Sequence, residues 1–130
     1  MELPRELDEQ ECWELLSFST IGRIALSVKA LPVILPVQYY LDNRTLAICL
    51  GQHEIPNASV ENTVVAFAAD AVDTSSQSGW SVQVQGLAHR PVREGIARDC
   101  GQPPAGRVVH IETAMVKGHR FNLCPFIAGF

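Results

Sequence analysis

No cysteine in this chain belongs to a Cys-x-x-Cys pair. Cys12, Cys49, Cys100 and Cys124 stand far apart, so the spacing that tethers a structural zinc ion is missing. Long hydrophobic runs are missing too. The longest uncharged apolar stretch, Ala30 to Leu41, is broken by Pro32 and Pro36 and is too short to span a bilayer. The N-terminus, Met1-Glu2-Leu3-Pro4-Arg5-Glu6, is charged almost from its start and does not read as a signal peptide. Without a secretory leader, the four cysteines are expected as buried, chemically idle thiols rather than disulfides. Basic charge is scarce: 10 Lys and Arg against 14 Asp and Glu leave a net charge of −4. No basic stripe of the kind that tracks nucleic acid is present. The expectation is a cytoplasmic protein with neither a nucleic-acid nor a membrane partner. Standard catalytic sets are also absent: there is no Gly-x-Ser-x-Gly elbow, no phosphate-binding Gly-rich loop and no His-Glu-x-x-His. The histidines, His53, His89, His110 and His119, are scattered. Their spacing argues for neither a metal site nor a catalytic dyad, and no catalytic residue is assigned.

What the sequence does contain is alternation. The chain has 130 residues, 47% of them hydrophobic, which suits one domain around one core. From Ser78 to Arg90 the pattern has a period of two: Trp80, Val82 and Val84 on one side, Ser81, Gln83 and Gln85 on the other. That is a strand with one buried face, and Gly86 stands where a bulge or bend would fall. Asp8 to Phe18 reads as a helix, with Asp8 as cap, Glu11 at the capping-box spacing and Leu7 placed to pack on Cys12. Further strands are expected at Ile21–Val28, Val33–Leu41, Thr45–Leu50, Val60–Ala69 and Arg107–Val116, with Lys117 to Phe121 closing the barrel edge. Pro36 marks the second of these as an edge or a bulge, because proline donates no ladder hydrogen bond. Asp42-Asn43 is hairpin chemistry, and Asp70 to Gly79 reads as a long polar loop. The near-continuous apolar run of Val60–Ala69 implies burial on both faces. Val92 to Cys100 reads as a short helix, Gly101 to Gly106 as a break, and Leu123 to Phe130 as a docking tail. The fold class is mainly β: a six-stranded antiparallel split β-barrel with an N-terminal helix and short additional helices.

Several pieces stand in a familiar order: Gly22-Arg23-Ile24-Ala25, then Leu35-Pro36-Val37-Gln38-Tyr39, then Val65-Ala66-Phe67-Ala68-Ala69-Asp70 with Asp73, and Gly79-Trp80-Ser81-Val82-Gln83-Val84-Gln85-Gly86-Leu87-Ala88. Across nearly the whole chain, Leu7 to Phe121, this resembles the pyridoxamine 5′-phosphate oxidase-like FMN-binding split barrels. The resemblance implies a homodimer with two FMN sites at the subunit interface. It implies an isoalloxazine ring lying along Pro36, Val37, Gln38 and Tyr39, where extended backbone offers donors and acceptors to the ring edge. Trp80 and Ser81 would border the ligand. Cys49, Leu50, Gly51 and His53 would lie at the phosphate.

One departure stands out. Family members often place Arg, then Thr, on the third strand and a Lys a few residues on. A phosphate calls for such cations or for a nest of backbone N–H groups. Here Cys49 and Ile55 occupy those places, Glu54 adds negative charge, and no Lys or Arg occurs between Thr45 and Asp70. Two functions follow. One is an FMN-binding protein acting as a flavin-dependent oxidoreductase on a small molecule, the flavin carrying the redox chemistry. The other is a split barrel without FMN that serves as a binding or assembly module, or that holds a deazaflavin or haem.

Overall fold

The computed structural model describes residues 5–51, 55–90 and 107–124. The expected helix at Val92–Cys100, the Gly101–Gly106 break, His53 and all but the start of the C-terminal tail lie outside these. The described elements are β1 (Arg5–Leu7), α1 (Glu9–Leu16), β2 (Ile21–Val28), β3 (Leu31–Asp42), β4 (Thr45–Gly51), a 3-10 turn (Asn57–Ser59), β5 (Thr63–Asp73), β6 (Ser78–His89) and β7 (Arg107–Asn122). All pairings are antiparallel, in the order β1-β7-β4-β3-β2-β5-β6, and β6 pairs back onto β7. Strands β2 to β7 therefore close into a six-stranded ring, as expected for a split barrel, and β1 is a short addition along β7.

The alternation in the sequence becomes the inside and outside of this ring. Ile24 and Leu26 of β2, Phe67 and Ala69 of β5, Val82 and Val84 of β6, and Val109 and Ile111 of β7 fill the interior. Trp80 joins them, 9% exposed. At Gly86 the register between β6 and β7 shifts: Gln85 faces Met115 while Gly86 faces Thr113, so Ala114 is the extra residue of a bulge in β7. The Glu112 carbonyl then sits where a side chain on Gly86 would have to go, so a residue without a Cβ is required at that position.

Helix α1 is fixed by its cap. The Glu11 backbone N–H donates to Asp8 Oδ1 at 2.8 Å, satisfying one orphan donor of the first turn. Cys12, Trp13, Leu15 and Leu16 are buried, and the Tyr39 hydroxyl donates to the Leu16 carbonyl oxygen at 2.5 Å. That bond ties the end of the helix to β3. Leu7 and Cys12 both pack over Gly118 of β7, the contact expected of a hydrophobic residue before the cap.

Four expectations need correction. The β3–β4 turn is carried by Asn43 and Arg44, both at positive φ, rather than by Asp42-Asn43; Asp42 pairs with Thr45 as the last ladder position. Asp70 to Gly79 is mostly strand, with Asp73 paired to Ser78; the cross-strand ladder overrides the polar composition, and only residues 74–77 turn. β5 starts at Thr63 rather than Val60 and buries one face only, with Val64 76% exposed. Finally, Cys49 is disulfide-bonded, not a thiol, because disulfide formation depends on proximity in the fold rather than on spacing in the chain.

Candidate functional site

Strand β3 does present its proline at a boundary. Its ladder with β4 runs only from Gln38 to Asp42, while its ladder with β2 continues through Pro36, opposite Arg23. Pro36 therefore stands two residues outside the described β3–β4 ladder, a place that suits a residue donating no backbone hydrogen bond. Val37 and Tyr39 point inward, 4% and 2% exposed, so only their backbone faces outward chemistry. Pro36 and Gln38 are exposed. Burial raises the pKa of the Tyr39 phenol above its usual value, so it stays a hydrogen-bond donor to Leu16.

Of the suggested phosphate segment, Cys49, Leu50 and Gly51 lie at the end of β4, and His53 lies outside the described residues. Gln38 stands directly opposite Cys49. Leu50 is a core residue. Gly51 is exposed, with a φ of +61°, a left-handed conformation natural to glycine. Trp80 and Ser81 sit on β6, separated from β3 by β2 and β5. Ser81 nevertheless pairs with Asp70, and Asp70 lines the same cleft as Pro36. That cleft has a volume of about 290 Å³ and is lined by Ser19, Ile21, Arg23, Pro36, Ala68 and Asp70 among others. Arg23 and Asp70 are the site residues that the sequence reading did not single out, although both lie in the segments that carry the resemblance. Their signal was positional: Arg23 faces Pro36 in the ladder with β3 and Ala68 in the ladder with β5. Among the described residues Arg23 makes no ion pair, so its charge is available at the cleft.

A second polar feature lies where β6 and β7 pair. His110 is buried, and its pKa is lowered from the usual imidazole range, first by burial and then by His89, with Asp42 opposing. The imidazole is accordingly neutral near pH 7.

Comparison with known proteins settles the family. The model of the pyridoxamine 5′-phosphate oxidase family matches residues 8–99, well over half of the chain. The chain belongs to that family. An uncharacterised protein of Mycobacterium tuberculosis is 34% identical over 88 residues, covering 64% of this chain and 58% of that one; the chain thus spans under two thirds of its relative's length. Among solved structures, the FAD binding protein of Mycobacterium smegmatis superposes with a TM-score of 0.75 at 28% identity, covering 92% of this chain and all of the other. An FAD-binding protein of Mesorhizobium loti superposes with a TM-score of 0.70 at 19% identity, over 93% of this chain, a likeness of fold. Flavin-binding proteins are thus among the structural neighbours of this family member. Among the described residues no helix is long and apolar enough to cross a membrane.

Proposed function

We propose that this protein binds a flavin along the outer side of β3 and serves as a flavin-dependent oxidoreductase. The observation that carries the reading is the likeness to the Mycobacterium smegmatis FAD binding protein over 92% of the chain. The residues present fit the ring part of a flavin. The backbone of Val37 lies just beyond the described β3–β4 ladder, which begins at Gln38, and Gln38 adds an exposed side-chain amide. Bound there, the flavin supplies hydride and electron transfer. The protein's part is to hold the ring edge and exclude water beneath it, with Val37 and Tyr39 packed into the core behind.

The phosphate end selects between flavins. FMN ends in a phosphomonoester with up to two negative charges on one group, whereas FAD spreads its charge over a diphosphate. With no Lys or Arg between Thr45 and Asp70, the chain suits FAD better than FMN. Arg23 is the cation we assign to the phosphate. Calorimetric titration of the purified protein with each flavin tests this. We expect FAD to bind at least tenfold more tightly than FMN. Arg23→Ala should weaken FAD by about tenfold or more, the scale of one charge-assisted hydrogen bond. If neither flavin binds, the reading fails and the barrel is a flavin-free binding or assembly module. Tight, stoichiometric FMN binding would mean that its phosphate finds cations outside this set.

The same reading includes a homodimer. Ile34, Ala25, Ala66, Gln85 and Met115 stand in adjacent register on the outside of β3, β2, β5, β6 and β7, with Val64 and Leu87 in the neighbouring row. Ile34 is 67% exposed and Val64 76%. A largely apolar sheet face of this kind, with Gln85 as its polar member, fits a second copy of the chain.

A further inference from the structure

His89 and His110 are far apart in sequence, but the β6–β7 register places them directly opposite one another. Their ring centroids are 6.0 Å apart and the rings meet edge to face, at 71°. His89 Nδ1 lies 2.9 Å from the Arg90 carbonyl oxygen. A carbonyl oxygen only accepts, so Nδ1 carries the proton and donates. In the neutral ring that leaves the lone pair on Nε2. A histidine anchored to a backbone carbonyl through one nitrogen, with the other left as a lone-pair donor, is the arrangement found in metal-ligating histidines. The second ring shows the complementary feature. His110 is 8% exposed, and its Nε2 is buried with no hydrogen-bond partner. A buried polar atom without a partner is uncommon and calls for a physical explanation.

We propose that His89 and His110 form a two-histidine clamp for a divalent transition-metal ion of the Zn²⁺, Ni²⁺ and Cu²⁺ class. The geometry is close to what such a chelate needs. With metal–nitrogen distances of ~2 Å and a tetrahedral angle, two imidazoles bound through Nε2 have centroids roughly 5 Å apart, and the observed pair, at 6.0 Å, is within about 1 Å of that separation. The surrounding charge favours a cation. The Asp42 carboxylate is near enough to act on His110, and exposed Glu112 lies two residues along β7 from it. Arg90, the neighbouring positive charge, is drawn to Glu61 at 2.6 Å. Among the described residues no third histidine, cysteine or carboxylate completes a cluster, so the remaining positions on the ion fall to water or to an exogenous ligand. Imidazole ligands select borderline transition metals over Mg²⁺ and Ca²⁺, which require oxygen donors.

The test uses tag-free, full-length protein stripped with EDTA and titrated by calorimetry with NiCl₂, then with CuSO₄ and MgCl₂. We expect one Ni²⁺ per chain, tighter Cu²⁺ and no Mg²⁺. His89→Gln, at a partly exposed position, should weaken Ni²⁺ at least tenfold while leaving the melting temperature of the metal-free protein unchanged. His119→Gln should leave Ni²⁺ binding intact. His110→Gln should behave like His89→Gln, but the proposal does not depend on that variant folding. Absence of Ni²⁺ binding, or binding that survives His89→Gln, would overturn the assignment; the second result would place the ion elsewhere on the chain.

Discussion

Cys12 shows how one residue reports on the packing around it. Its side chain is 0% exposed and packs over Gly118 beside Leu7. Burial raises the thiol pKa first, and the carboxylates of Asp8, Glu11 and Glu9 raise it further. Because the thiolate is the nucleophile, N-ethylmaleimide should leave Cys12 unmodified in the native protein and label it only in denaturant. Peptide mapping by mass spectrometry reads this directly, and rapid native labelling would mean that α1 lifts from the barrel. The sequence alone indicated this burial, since Cys12 shares a helical stripe with Leu15 and Leu16. It did not indicate the state of Cys49, because a disulfide needs two sulfurs brought together by the fold. The same limit hid the facing histidines, as strand register is a tertiary property.

Among the elements, the strands were legible wherever one face is apolar. β2 has the bounds expected, Ile21–Val28, because Ser19-Thr20 before it and Lys29-Ala30 after it frame a clean alternation. Turns were less legible. Lys29-Ala30 and Asn43-Arg44 both adopt positive φ, the mirror-image geometry of two-residue hairpins. Residue preferences put the second turn one position early, at Asp42-Asn43, because arginine is not a residue expected there. β1 escaped notice for a related reason: three residues carry no periodicity, and it exists through its pairing with β7. The left-handed arginine yields a prediction. Arg44→Gly should raise stability by about 1 kcal/mol, the usual cost of holding a side chain in that region. The lost ion pair with Glu9, at 3.3 Å and well exposed, offsets little of this. Urea unfolding gives the sign, and a lower midpoint would mean that Arg44 makes compensating contacts.

At the scale of the whole molecule, the barrel class followed from the two-residue period, and the strand order agrees with it. The cleft at Pro36 was legible only in part: the strand carrying it could be read, but its neighbours Arg23 and Asp70 join it through pairing. If the exposed face of β2, β3 and β5 meets a second copy, light scattering at micromolar concentration should give twice the chain mass. Obligate interfaces of this kind commonly bury upward of ~2,000 Å² in total. Ile34→Glu with Val64→Glu should then yield a monomer, whereas a monomeric unmodified protein would remove the dimer from the proposal. The 16-residue strand β7 has a consequence for synthesis. It alone joins β4 to β6 and so closes the ring, yet it is the last described strand to leave the ribosome. Until residues 107–122 emerge, the nascent chain is an open sheet with two unsatisfied edges, the state most prone to pair with its neighbours. Folding to the closed barrel therefore waits on translation, and chaperone demand should peak in the interval between the emergence of β6 and that of β7.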